Sequence, residues 1–228
     1  MSTRQLSKNQ HGFTLVELMI AISVLSMTLL IVTAGIVSIG NSYYRGITQA
    51  NTQQAARTIL DTLQQNLQFG NYGSISSPPV TAVSGSTTVN AICVGEQRYS
   101  YVLGYKKTGP TALWRDDMTT TTCGPLDVTS AVSTPPVMGA ASPSAIGSGR
   151  DMLGNNMRVT NFLVNTAAGQ SNVYNVQVTV MYGDDDLIDK GPVGTPMKDW
   201  KCLPSQGIIG GSFCAKSELS TIIGKRLN

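Results

Sequence analysis

The sequence predicts an α+β protein: a long N-terminal helix followed by an antiparallel β-sheet domain. Three observations carry that reading. Residues 13–39 hold one ionisable side chain, Glu17, in an otherwise uncharged and mostly apolar run. Residues 48–69 contain no proline and repeat apolar side chains every three or four positions. Further on, Tyr174, Val176, Val178, Val180 and Tyr182 alternate with Asn175, Gln177 and Thr179, the period of a strand with one wet face.

The first element is long enough to cross a bilayer. As a helix, residues 13–39 extend about 40 Å, more than the hydrocarbon thickness. Arg4 and Lys8 precede them, so the positive-inside rule keeps the N-terminus cytoplasmic and exports the rest of the chain. An uncleaved signal anchor fits these facts. A cleaved secretory signal fits less well, because its apolar region is shorter and small residues precede the cut at the far end. Glu17 stands out, since a carboxylate in hydrocarbon is costly and marks function. It either sits at headgroup level or meets a positive partner.

The hexapeptide from Gly12 to Glu17 reads Gly-Phe-Thr-Leu-Val-Glu. With the basic leader before it and the apolar run after it, this segment resembles the processing site of type IV prepilins and pseudopilins. The resemblance implies a membrane-embedded prepilin peptidase that cuts after Gly12 and methylates the new N-terminus at Phe13. It also implies that Glu17, fifth counting from Phe13, serves assembly by compensating the α-amino group of Phe13 on a neighbouring subunit. The expected organisation is a leader at 1–12, a transmembrane half-helix at 13–40, an amphipathic half-helix at 41–70 and an exported β-rich domain at 71–228. Expected partners are other pilin or pseudopilin subunits, the prepilin peptidase, inner-membrane assembly machinery and membrane lipid. The expected location is a single-pass membrane protein before assembly, then a surface or periplasmic filament.

The second element is the amphipathic half. Gly40 and Gly46 are expected to loosen the helix. Beyond them Ala55, Ile59, Thr62, Leu63, Leu67 and Phe69 form a stripe, with Arg57, Asp61, Gln64, Gln65 and Gln68 largely off it. Gly70 and Asn71-Tyr72-Gly73 supply the stop signal. The stretch 56–72 is loosely similar to the segment that leads into the globular domain of W-type minor pilins and J-type pseudopilins. Major pilins often carry a proline in the membrane helix. The lack of one between positions 13 and 69 turns the resemblance towards a minor subunit.

The β-rich domain comes next. Residues 74–87, rich in Ser, Pro and Gly, read as a crossing. Residues 89–94 and 97–105 read as a hairpin turning at Gly95-Glu96, with Tyr99, Tyr101, Leu103 and Tyr105 alternating. A third strand is expected at 111–115 around Trp114. Residues 119–149 read as a long loop, a surface for display or merely a variable one. Strands are expected at 156–165, at 173–182 packing on the helix stripe, and at 219–227.

Cys93, Cys123, Cys202 and Cys214 all lie beyond the helix, on the exported side, where disulfides persist. Three connectivities are possible. The favoured one joins sequence neighbours, Cys93 with Cys123 and Cys202 with Cys214. Zinc is disfavoured: no Cys-x-x-Cys pair occurs, and the single histidine, His11, lies in the leader. Asp184, Asp185 and Asp186, with Asp189, form the one acidic cluster. It lacks the spacing of a calcium loop and reads as a turn, with calcium as the alternative.

No nucleophile–base pair, phosphate loop or metal constellation is apparent, so neither an enzyme nor a cofactor is predicted. Without Arg4 and Lys8 the 16 basic residues fall to 14, against 13 acidic ones, so no nucleic-acid partner is expected. Two classes remain. One is a minor structural subunit of a type IV pilus or related filament, near the tip or in initiation, with a pseudopilin of secretion or DNA uptake as its variant. The other is an adhesin or binding module displayed on the same anchor.

Overall fold

A computed structural model describes residues 12–69, 75, 79–84, 87–107, 112–118, 123–124, 149–167, 170, 172–203 and 213–225. Helix α1 spans Leu15–Phe69. Gly40 and Gly46, expected to loosen it, both lie in helical residues. One glycine costs a helix only about 1 kcal/mol, too little to break a long one. By contacts the chain divides into two compact units, Met1–Tyr43 and Tyr44–Asn228.

The second unit is an antiparallel β structure packed on its own part of α1. A five-stranded sheet has the order β1 (Val80–Ser84), β2 (Thr87–Val94), β3 (Gln97–Tyr101), β4 (Leu113–Asp117) and β5 (Arg150–Asp151). A three-stranded sheet places β7 (Val173–Tyr182) between β10 (Ala215–Gly224) and β6 (Met157–Thr166). A two-residue pair joins β8 (Ile188–Asp189) to β9 (Lys201–Cys202). All these pairs are antiparallel. The α+β class expected from sequence is the one observed.

Several boundaries differ from the expected ones, each for a local reason. The crossing at 74–87 contains β1, paired along its length with β2. The hairpin turns at Gly95, whose φ of 65° suits glycine. Its second strand ends at Tyr101 rather than 105, because the chain leaves β3 there. Leu103 instead makes an isolated parallel bridge to Val159, and the Gly104 N–H donates to the Val159 carbonyl at 2.8 Å. The strand around Trp114 lies two residues later than expected, at Leu113–Asp117. The C-terminal strand starts earlier, at Ala215. Gly70, the stop signal after it and most of the 119–149 loop lie outside the described residues.

The main core joins the helix stripe to both sheets. Ala56, Ile59, Leu63 and Leu67 are buried against residues such as Ile92, Tyr101, Val176 and Val178. The stripe is rotated slightly from the expected one. Thr48 and Thr52 extend it towards the N-terminus, Ala56 is more buried than Ala55, and Phe69 is largely exposed. Thr52 escapes a hydropathy reading because its hydroxyl is satisfied locally, donating to the Thr48 carbonyl at 2.7 Å. Two polar links tie helix to sheet: the Asn66 amide donates to the Tyr99 hydroxyl at 2.5 Å and to Gln97 Oε1 at 2.9 Å. Burial pushes the Tyr99 phenol up to about 12, against the Asn66 hydrogen bond, which lowers it. Burial likewise raises Tyr101, whose hydroxyl donates to the Phe162 carbonyl at 3.2 Å.

The expected wet face of β7 is wet only at one end. Asn175 is exposed, but Thr179 and Met181 are fully buried. The cause is a second cluster, Met181, Ile188, Trp200 and Cys214, on that side. Gly104, with φ of 70°, sits close against it: an added Cβ would lie 2.8 Å from Met197 Sδ and 3.0 Å from the Trp200 ring. Disulfides join Cys93 to Cys123 and Cys202 to Cys214, and no described cysteine is free.

Candidate functional site

The start of α1 is built by Thr14. Residues 12–14 are not helical. The Thr14 carbonyl accepts from the Leu18 N–H at 3.2 Å, and its Oγ1 accepts from the Glu17 N–H at 3.3 Å. Thr14 is therefore the N-cap, and Glu17 is the third residue of the helix. The sequence reading missed this role, although Thr-x-x-Glu before an apolar run is its signal. The cap aims a free helix end, with its partial positive charge, at the neighbourhood of Gly12 and Phe13. Glu17 is exposed in the first turn, and Phe13 is 83% exposed.

The residues after Glu17 have an apolar surface with no place to go within their own unit. Leu15, Leu18, Ile22, Leu25, Leu29 and Ile36 are all more than half exposed. This helix is long and apolar enough to cross a membrane, and none of its most apolar window is buried in the structure. That separates it from the core helix of a soluble domain, which passes the same length test but is buried. Several of its hydroxyls are satisfied within the helix. Ser23 donates to the Ile20 carbonyl at 2.8 Å, Ser26 to Ile22 at 2.8 Å and Thr28 to Leu25 at 2.8 Å. Such back-bonding leaves hydrocarbon-facing hydroxyls without an unmet partner. Glu17 is the single carboxylate among these residues, so it is the one group there that attracts a cation from outside.

The acidic cluster is an exposed turn, as expected, and two of its carboxylates also form ion pairs. Asp184 pairs with Lys106 at 2.7 Å; Asp185 pairs with Arg158 at 2.6 Å and with Lys190 at 3.0 Å. Arg158 is 1% exposed, and its guanidinium also donates to the Gly183 carbonyl at 2.8 Å. The Arg158 hydrogen bond holds the Asp185 carboxyl down to about 2. These carboxylates are engaged by cationic side chains, and among the described residues no group of three or more His, Cys, Asp or Glu is placed to hold a metal.

Comparison with known proteins gives one family match. The model described as the prokaryotic N-terminal methylation motif matches residues 7–33. This match supports a type IV pilin-like protein processed by a prepilin peptidase and anchored in the membrane as a precursor. No curated protein and no solved structure matches the chain.

Proposed function

We propose that this chain is a minor structural subunit of a type IV pilus or a related pilin-like filament. In this reading the peptidase cuts after Gly12, Phe13 is methylated, and the exposed apolar helix first lies in the bilayer and then packs among neighbouring subunits. Glu17 meets the α-amino group of a neighbour's Phe13. The observation that carries the reading is the methylation-motif match at 7–33 over a helix whose apolar surface is exposed all round. Support for a minor subunit comes from the absence of proline in α1. The working division is then a leader at 1–12, a transmembrane half at 13–40, an amphipathic half at 41–70 and an exported domain at 71–228. The exported domain faces an oxidising compartment, in keeping with its two disulfides.

Processing is the first test. Intact mass of the protein from membranes of cells with an active prepilin peptidase should correspond to a chain starting at Phe13 with one added methyl group. A species that keeps residues 1–12 in such cells would overturn the reading. The second reading is a pseudopilin, because the stretch 56–72 is loosely similar to J-type pseudopilins as well as to W-type minor pilins. Deleting the gene separates them: loss of surface filaments supports the pilus, and loss of protein secretion with filaments intact supports the pseudopilin.

A further inference from the structure

The outer face of the three-stranded sheet carries a cavity of about 540 Å³. Sites for small ligands run roughly from 300 to 1,000 Å³. Its floor is the sheet, and its wall comes from the chain between β8 and β9. We propose that it binds an uncharged, polyhydroxylated ligand, a short neutral oligosaccharide. The site lies wholly within Tyr44–Asn228, so it stands or falls independently of filament assembly.

The floor points to a neutral ligand rich in hydroxyls. Asn161 and Gln177 line the cavity from β6 and β7. Asn161 is paired with Thr179, and Gln177 with Leu163, so the two amides are diagonal neighbours on one face. Both are half-buried, and neither amide has a hydrogen-bond partner among the described residues. Thr179 shares their face. It stands between Asn161 on one strand and Glu218 on the other, is fully buried, and has no partner for its hydroxyl. Thr179 lies beneath the lining residues, whereas Asn161 and Gln177 line the cavity, and each of these two amides both donates and accepts. A sugar's adjacent hydroxyls have the same dual character.

The charges lining the cavity, from wall and floor together, point the same way. Lys198, Lys201 and Lys216 face the cavity together with Asp189, Asp199 and Glu218. With equal numbers of each sign, no net field selects an anion or a cation. An anion would meet three carboxylates and a cation three ammonium groups. A neutral polyol uses both kinds as hydrogen-bond partners.

The wall is also fixed in advance. The β8–β9 pair and the Cys202–Cys214 disulfide hold its two ends, and Trp200 is buried in the second cluster. Lys216 Nζ donates to the Lys198 carbonyl at 2.5 Å, and Asp189 Oδ1 accepts from the Gly191 N–H at 2.9 Å. Preorganisation lowers the entropy lost on binding. No aromatic side chain is among the described lining residues, so recognition rests on hydrogen bonds, each worth about 1 kcal/mol net.

The test uses the full chain in lipid nanodiscs, on an array of neutral, sialylated, sulfated and amino-sugar glycans, followed by saturation-transfer NMR titration of the best neutral binder. Neutral glycans should bind, and Asn161→Leu and Gln177→Leu should each weaken binding at least tenfold with unchanged melting temperature. Should either variant fail to fold, Lys201→Ala and Asp199→Ala on the exposed wall replace it, each with an expected threefold loss. Binding only of charged glycans, binding of none, or neutral binding that survives all these substitutions would overturn the proposal.

Discussion

Two stretches of α1 use apolar side chains in opposite ways. Over 15–39 they point in every direction and are exposed; over 48–67 they keep to one face and are buried. A helix that is apolar all round needs a partner on every side, which only lipid or a set of neighbouring helices supplies. A helix with a single stripe needs one surface, and the sheets of its own unit provide it. Apolar content therefore says that a helix will be covered. Its angular spread says whether the cover comes from the same chain.

The sharpest way to break this comparison is to place the same charge in both stretches. Leu63 is 0% exposed and Leu25 is 58% exposed. Leu63→Asp buries a carboxylate without a partner and should destabilise the second unit by more than about 4 kcal/mol, enough to unfold it. Leu25→Asp should leave the melting temperature unchanged and reduce retention in the membrane fraction, since a mid-helix Asp costs insertion roughly 2.5–3.5 kcal/mol. Thermal unfolding and membrane fractionation of the full chain check both. Equal losses of melting temperature would abolish the distinction.

Disulfides exist in the second unit only, and their removal should be felt only there. The sequence separations are 30 for Cys93–Cys123 and 12 for Cys202–Cys214. On loop length, replacing a pair by serine costs nearer 4 kcal/mol for the first and about 3 kcal/mol for the second, in the chain-entropy model. Denaturant melts should rank the variants in that order, with the amount inserted in membranes unaltered.

Glu17 tests the other stretch. Glu17→Ala should leave insertion and folding intact and lower the ratio of filament to membrane protein by about tenfold, the equivalent of roughly 1.4 kcal/mol of lost attraction to a neighbour's amine. Glu17→Asp keeps the charge but shortens the reach, so its ratio should fall between wild type and alanine. Sheared filaments weighed against membranes give the number. An unchanged ratio in the alanine variant would make Glu17 an ordinary anchor residue.

What could be read from sequence differs between the regions for a physical reason. The N-terminal segment is local: a leader, Gly12-Phe13, Glu17 and an apolar run lie within one stretch of chain. Strand β7 was equally readable because its alternation holds without a break from 174 to 180. Strand β1 was hidden because Val80–Ser84 is held mainly by pairing with β2, and short Ser- and Pro-flanked segments carry little pattern of their own. Arg158 could not be foreseen as buried, because its counter-ion is 27 residues away. The cavity was invisible for the same reason: Asn161, Gln177 and Glu218 become neighbours only through sheet register.

The smallest expected effect is a pH response confined to the second unit. Asp185 accepts hydrogen bonds from Arg158 at 2.6 Å, and Lys190 lies 3.0 Å away. The Arg158 bond, aided by Lys190 and opposed by partial burial, lowers the carboxyl from 3.8 to about 2. The folded state thus keeps this carboxylate charged at pH values where the unfolded chain already takes up the proton. Its stabilisation is fully present above about pH 5 and is lost as pH falls through 3.8 towards about 2. Asp185 is 56% exposed, so solvent screening holds the effect below about 1 kcal/mol. Other carboxylates titrate in the same range, and Asp185→Asn isolates this one. At neutral pH the variant should lose that same fraction of a kcal/mol, with Arg158 still donating to the Gly104 and Gly183 carbonyls. Between about pH 5 and pH 2 the difference between wild type and variant in urea unfolding should shrink. A constant difference across that range would mean that the Arg158–Asp185 pair contributes through shape and not through charge.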